Sequence, residues 1–113
     1  MALKKEIELE NGVILNYHRI TSLNKITNIS NNIEISSYTN EAQREKEYEY
    51  QQLQIKSVNG EELTDEEQQK LNKGINVFIN TTFFQLPYDE NQTIEEAYEY
   101  LKETEKFSGS KDI

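Results

Sequence analysis

Apolar residues in this chain cluster in three stretches, 3–38, 75–88 and 94–107, and residues 41–74 between them are nearly all polar. Burial of apolar surface is the main favourable term in folding. A core must therefore be assembled from those three stretches, with 41–74 outside it. The 113 residues fit one domain with a modest core. At 35% hydrophobic and 29% charged residues, that core must be economical. The pattern predicts a β-rich unit carrying a polar excursion.

The first stretch reads as strands. In "LKKEIELENGVILNYHRI", Leu3, Ile7 and Leu9 alternate with Lys4, Glu6, Glu8 and Glu10, and Lys5 is the exception on the apolar side. Asn11 and Gly12 suit a two-residue type I′ turn, since both tolerate positive φ. Val13, Leu15 and Tyr17 resume the alternation. Ile20, Leu23, Ile26 and Ile29 then recur every three residues. β-branched side chains set among Thr, Ser and Asn favour a kinked strand over a helix there. Asn31 and Asn32 read as a turn, and Ile33–Tyr38 as a further strand. Residues 1–40 are expected to form an antiparallel meander.

Residues 41–55 fit either an exposed helix capped by Asn40, with Gln43 completing a capping box, or a projecting strand. Asn59 and Gly60 form a second Asn-Gly turn signal. Thr64 and Glu67 make a capping box, and Gly74 ends the short helix that follows. Near the C-terminus Thr93 and Glu96 repeat the box. Ile94, Ala97, Tyr98 and Leu101 form an apolar stripe at helical spacing, with Phe107 placed to anchor its end. The expected fold is α+β over a single domain, 1–113. It comprises a 1–40 meander, a 41–74 polar excursion with a short helix, a strand in 75–88, a helix over 93–107 and a 108–113 tail. The antiparallel sheet has about four strands, and the C-terminal helix packs on it.

The stretch "INVFINTTFFQLPY" departs from a half-exposed strand, which is apolar on one face only. Ile75, Val77, Ile79, Thr81 and Phe83 share one face. Asn76, Phe78, Asn80, Thr82, Phe84 and Leu86 share the other. One helix covers one face. The expectation is that the face bearing Phe78, Phe84 and Leu86, with Tyr88 beside it, contacts a second subunit or another protein. A sheet curling over both faces is the alternative. Tyr48 and Tyr50 offer a secondary contact surface, because Tyr presents a large ring with a polar tip.

No catalytic constellation is legible. His18 is the single histidine and no nucleophile motif accompanies it, so it reads as structural. Asp89, Asn91 and Thr93 have the start of a calcium-loop spacing. The sixth position is Ile94 rather than Gly and the twelfth is Tyr100 rather than Glu, so a turn and helix cap explain them. Absence of cysteine removes a disulfide scaffold and a thiolate metal site. The scattered glycines exclude a phosphate-binding loop. Three Asn-x-Ser/Thr sites, at Asn28, Asn80 and Asn91, carry little weight without a signal peptide. No enzyme activity, cofactor or metal is expected. The net charge of −9, without clustered Lys or Arg, argues against direct nucleic-acid binding. "MALKKEIELENG" turns charged at once, so neither a signal peptide nor a membrane span is expected.

Three blocks carry a resemblance: "MALKKEIELENGVILNYHRITSLNKITNISNNIEISSYTNEAQREKE", "INVFINTTFF" and "TIEEAYEYLKETEKFSGSKDI". Over residues 1–47 and 75–113 the chain resembles small phage and prophage proteins of low-GC Gram-positive bacteria, encoded in the tail and baseplate gene region. The segment 48–74 is longer than expected for that group. The resemblance carries over no catalytic residue. It implies a non-enzymatic structural or interaction protein of tail or baseplate assembly. Its partners would be other tail or baseplate proteins or itself as a homo-oligomer. Its place would be the host cytoplasm during assembly, and the virion thereafter. The net charge of −9 and the acidic runs "EAQREKEYEYQQ" and "EELTDEEQQK" motivate a different class of function: an acidic inhibitor that mimics DNA toward a host defence or DNA-binding protein, phage-encoded as the resemblance implies.

Overall fold

A computed structural model describes every residue from Met1 to Ile113. The fold is α+β. Strands β1 (Leu3–Lys4), β2 (Ile7–Glu8), β3 (Ile14–Leu15), β4 (Tyr17–Ile26) and β5 (Ser30–Tyr38) come first. Helices α1 (Glu41–Val58) and α2 (Asp65–Lys73) follow, then β6 (Ile79–Pro87), α3 (Ile94–Glu103) and β7 (Lys111–Asp112). Five strands form an antiparallel sheet in the order β6-β5-β4-β1-β7, and β2 and β3 form a separate ribbon.

The long central pair β4–β5 runs from Tyr17↔Tyr38 to Ile26↔Ser30. A bulge between Ile20 and Ser22 shifts its register. The extra residue, Thr21, explains the three-residue spacing of Ile20 and Leu23: both reach the same face because one residue between them is unpaired. The turn lies at Thr27–Ile29, where Asn28 takes φ 61°, and not at Asn31–Asn32. Asn31 is a fully buried member of β5 whose Nδ2 donates to the Asp89 carbonyl and to Gln92 Oε1. This ties the loop after β6 to the inner face of the sheet.

The first hairpin also differs from expectation. Asn11 does not adopt positive φ; Gly12 does, at 86°. The Gly12 N–H donates to the Leu9 carbonyl and the Leu9 N–H to the Val13 carbonyl. The loop is thus three residues, a turn closed by a left-handed glycine, rather than a two-residue type I′ turn. Its first leg breaks at Lys5, the residue that interrupted the alternation. The Lys5 carbonyl accepts from His18 Nε2 instead of from a neighbouring strand.

One face of the sheet and α3 enclose the core. Leu3, Ile20, Ile33, Ile35 and Leu86 meet Ala97, Tyr98, Leu101 and Phe107, with Ile7, Leu23 and Phe84 packed at the margin. Thr93 caps α3 by accepting the Glu96 N–H. The Thr93 hydroxyl donates to the Glu96 carboxylate, so the reciprocal bond of a full capping box is replaced. The helix ends at Glu103 and a run of turns carries Phe107 back into the core. Ile94, at the head of the expected stripe, is exposed. β1 pairs with β4 only at Leu3↔His18, which leaves the Ile20 N–H without a strand partner. The Tyr98 hydroxyl accepts it at 2.8 Å and donates to the Met1 carbonyl at 2.9 Å. The expected tail forms a strand instead: β7 pairs with β1, and Ala2 and Ile113 exchange backbone hydrogen bonds.

Residues 41–58 are helical, not strand. Asn40 caps α1 by accepting the Gln43 N–H. Asn59-Gly60 is no hairpin turn but the end of that helix. Gly60 (φ 75°) donates to the Ser57 carbonyl and Glu61 to the Lys56 carbonyl, a Schellman arrangement. Thr64 and Glu67 form the capping box of α2 in full. The α1–α2 hairpin projects from the sheet. The radius of gyration is 16.5 Å, against about 13 Å for a compact chain of this length.

Candidate interaction surface

The strand β6 is an edge. It pairs only with β5, from Ser30↔Pro87 to Tyr38↔Ile79. It starts at Ile79 rather than Ile75 because β5 ends at Tyr38 and the chain then turns into α1. Residues 75–78 therefore have no strand to pair with, and Phe78 lies outside the sheet, 45% exposed. The direction of the β6 backbone groups follows from the ladder. The Ile20 N–H points away from β5, toward the Tyr98 hydroxyl. Alternation across β4, β5 and β6 then turns the N–H and C=O groups of Asn80, Thr82, Phe84 and Leu86 toward β5. Those of Ile79, Thr81, Phe83 and Gln85 face outward, and no backbone hydrogen bond within the chain takes them up. Pro87 shares this outward parity, so its missing N–H costs no ladder bond.

The side chains correct the expected interface. Leu86 is buried at 2% exposure and Phe84 packs against the core beside Phe107, ring centroids 5.9 Å apart. Both face α3 and cannot form an external contact surface. Tyr88 is half-buried. The exposed face of β6 is the opposite one: Phe83 is 74% exposed and Ile79 37%. The cause is register. Phe84 sits opposite Ile33, on the face that α3 covers. Both faces of the strand are apolar, and its own sequence does not say which of them meets the helix.

The two tyrosines on α1 differ. Tyr48 is exposed, with Arg44 stacked over its ring at 5.5 Å. The half-buried Tyr50 donates to the Leu71 carbonyl and so holds α1 to α2. α1 has no apolar stripe; it meets the sheet through Glu47. Glu47 Oε1 accepts from the Tyr38 hydroxyl at 2.6 Å and from Arg44 at 2.9 Å, with Arg19 at 3.6 Å. The Tyr38 hydroxyl also accepts from Arg19 Nε at 3.1 Å. Burial, then the hydrogen bond to Glu47, pushes the Tyr38 pKa up.

His18 is 1% exposed. Its Nε2–H donates to the Lys5 carbonyl at 2.7 Å, and its Nδ1 accepts from the Ser37 hydroxyl at 2.7 Å. Phe107 lies edge-on to the ring at 5.2 Å. Serine and histidine within hydrogen-bond distance are the makings of a nucleophile and base, but the acceptor nitrogen is buried with Ser37, 3% exposed. The arrangement crosslinks the segment just after β1 to β4 and β5. Burial is the largest influence on the ring and lowers its pKa below the ordinary 6.5, against the raising effect of the Lys5 carbonyl. The unfolded chain therefore takes up this proton before the folded one does. Stability due to this site is full above pH 6.5 and is lost as pH falls toward the folded value. Urea midpoints of the wild type should drop on going from about pH 7.5 to about pH 5 by more than those of His18→Gln. Parallel pH profiles would refute the assignment.

Compared with known proteins, the chain matches no family model, no curated protein and no solved structure. The free edge of β6 and the polar seat of α1 were both missed by sequence reading. Pro87 hints at an edge position, since proline is confined to such places in sheets. Glu47 is one acid in a run of them, and nothing local distinguishes it. No helix of the molecule is long and apolar enough to cross a membrane.

Proposed function

We propose that the protein is a non-enzymatic structural or interaction component of a phage tail or baseplate, acting through the β6 edge. One observation carries the interaction reading: a nine-residue, uncharged edge strand with outward backbone groups untaken and Phe83 exposed beside them. Isolated proteins blunt long edges with charge, bulges or covering loops. β6 has no charged residue and no register irregularity with β5. Such an edge suits addition of a strand from a partner. The phage context rests on the resemblance of residues 1–47 and 75–113. Mass spectrometry of purified virions of a phage encoding the protein tests it. Detection at a fixed ratio to the tail proteins is the expected result. Absence from virions, and from tail-assembly intermediates, would sink the proposal.

The second reading, acidic mimicry of DNA, finds its surface on the projecting α1–α2 hairpin, where Glu41, Glu45, Glu62 and Glu66 are exposed. Arg44, Lys46, Lys56, Lys70 and Lys73 interleave with these acids, whereas mimicry needs a field of one sign. The observations favour the edge-strand reading. Salt-sensitive capture of a basic host nuclease or DNA-binding protein would reverse that preference.

A further inference from the structure

We infer that the partner taken by β6 is a second copy of this chain, paired antiparallel, edge to edge, about a two-fold axis at Thr82. This rests on the interaction reading above and names its occupant. Only an extended strand can take up a row of alternating N–H and C=O groups. In a two-fold antiparallel pair, residue i faces a residue whose number makes a constant sum with i. The register centred on Thr82 sets Ile79 opposite Gln85 and Thr81 opposite Phe83. It uses all four outward-facing residues and leaves Pro87, which has no N–H, beyond the ladder. Centring on Phe83 instead would place Pro87 opposite Ile79 and lose that pair.

Two further features fit this register. β6 is uncharged along its length, so two chains of net charge −9 can meet there without facing like charges. Antiparallel pairing brings the end of β6 that leads to Asp89 and Glu90 toward the partner's opposite end. That end follows α2, and Lys46, Lys70 and Lys73 line one groove there together with Glu49, a net basic surface. Asp89 and Glu90 are thereby set toward a net basic groove at both ends, although Lys25 Nζ already donates to the Glu90 carbonyl within each chain. The axis places each Thr82 opposite the other as a non-hydrogen-bonded pair of the new ladder. The exposed Phe83 side chains fall diagonally across the new pair, within reach of each other.

Light scattering on a sizing column, over a series of protein concentrations, tests the pairing. The wild type is expected at twice its 13.3 kDa. Thr81→Pro removes an outward N–H that makes no bond to β5, at a φ that an edge strand tolerates, and Phe83→Lys sets a charge at the edge; both are expected at the monomer mass with circular dichroism unchanged. The register is read separately. The chain has no cysteine, so Thr82→Cys should form a disulfide-linked dimer under mild oxidation, since facing residues in a pair of this kind come close enough for the bond. Gln85→Cys, exposed and facing Ile79 of the other copy, should not. A wild type that is monomeric at every concentration overturns self-pairing, as does a dimer that survives both Thr81→Pro and Phe83→Lys. If the monomer is nevertheless found in virions, the interaction reading stands with a different strand as partner. If it is not, both readings fall.

Discussion

Phe107→Ala should lower stability by about 3–5 kcal/mol, the usual cost of emptying a buried aromatic site. The expected fall in melting midpoint is roughly 10–20 °C for a domain of this size. Phe107 follows the end of α3 and is 1% exposed. Its ring lies edge-on to His18 and tilted against Phe84, so it touches β4 and β6 from one position. Truncation leaves a cavity between the helix layer and the sheet, and it removes the aromatic contact of the buried histidine. Phe107→Leu fills much of the space and should cost clearly less. Thermal unfolding followed by circular dichroism reads both. A midpoint for Phe107→Ala within a few degrees of wild type would show that the turn after α3 does not hold the core closed.

Glu47→Ala should release α1 from the sheet while leaving the sheet folded. The helix has no apolar stripe to hold it, and Glu47 is its buried contact with β4 and β5. Removing the carboxylate leaves the buried Tyr38 hydroxyl without its acceptor and Arg19 without its counter-charge. Loss of one partner from such a network costs about 2–3 kcal/mol. The figure stays at the lower end because Arg19 retains some solvent contact. Tyr38→Phe, which removes one hydroxyl and leaves the ion pair, should cost about half as much. Hydrogen exchange provides the local readout. Amide protection should fall across Glu41–Val58 and remain across β4 and β5. Uniform loss of protection would mean that α1 is integral to the core and not a docked appendage.

That contrast marks what local sequence conveys here. Helix ends were legible because capping is a short-range matter. Thr64 with Glu67, and Thr93 with Glu96, act on N–H groups three residues away. The apolar stripe of Ala97, Tyr98 and Leu101 predicted the packing of α3 on the sheet, since helical period alone puts them on one side. Turns were less legible. Asn-Gly marks a bend in both places, but at Asn11 it closes a three-residue loop and at Asn59 it ends a helix. The same dipeptide serves either, because the left-handed glycine is what both require.

The candidate surface was legible in kind and misassigned in detail. Residues 75–88 do hold one apolar face too many, as their alternation says. Which face turns inward depends on pairing with β5, and pairing is non-local: Phe84 lies inside because it is opposite Ile33, fifty-one positions away in the chain. A shift of one residue would exchange Phe84 and Leu86 for Phe83. By itself, then, the sequence determined the α+β class, the polar excursion, the helix caps and the surplus of apolar surface on β6. Those are properties of spacing within a few residues. Only the tertiary structure decided that β6 is an edge, that Phe83 and not Phe84 faces outward, that Glu47 seats α1 and that His18 is a buried crosslink. Each depends on strand order and register, which arise from contacts between residues distant in the chain.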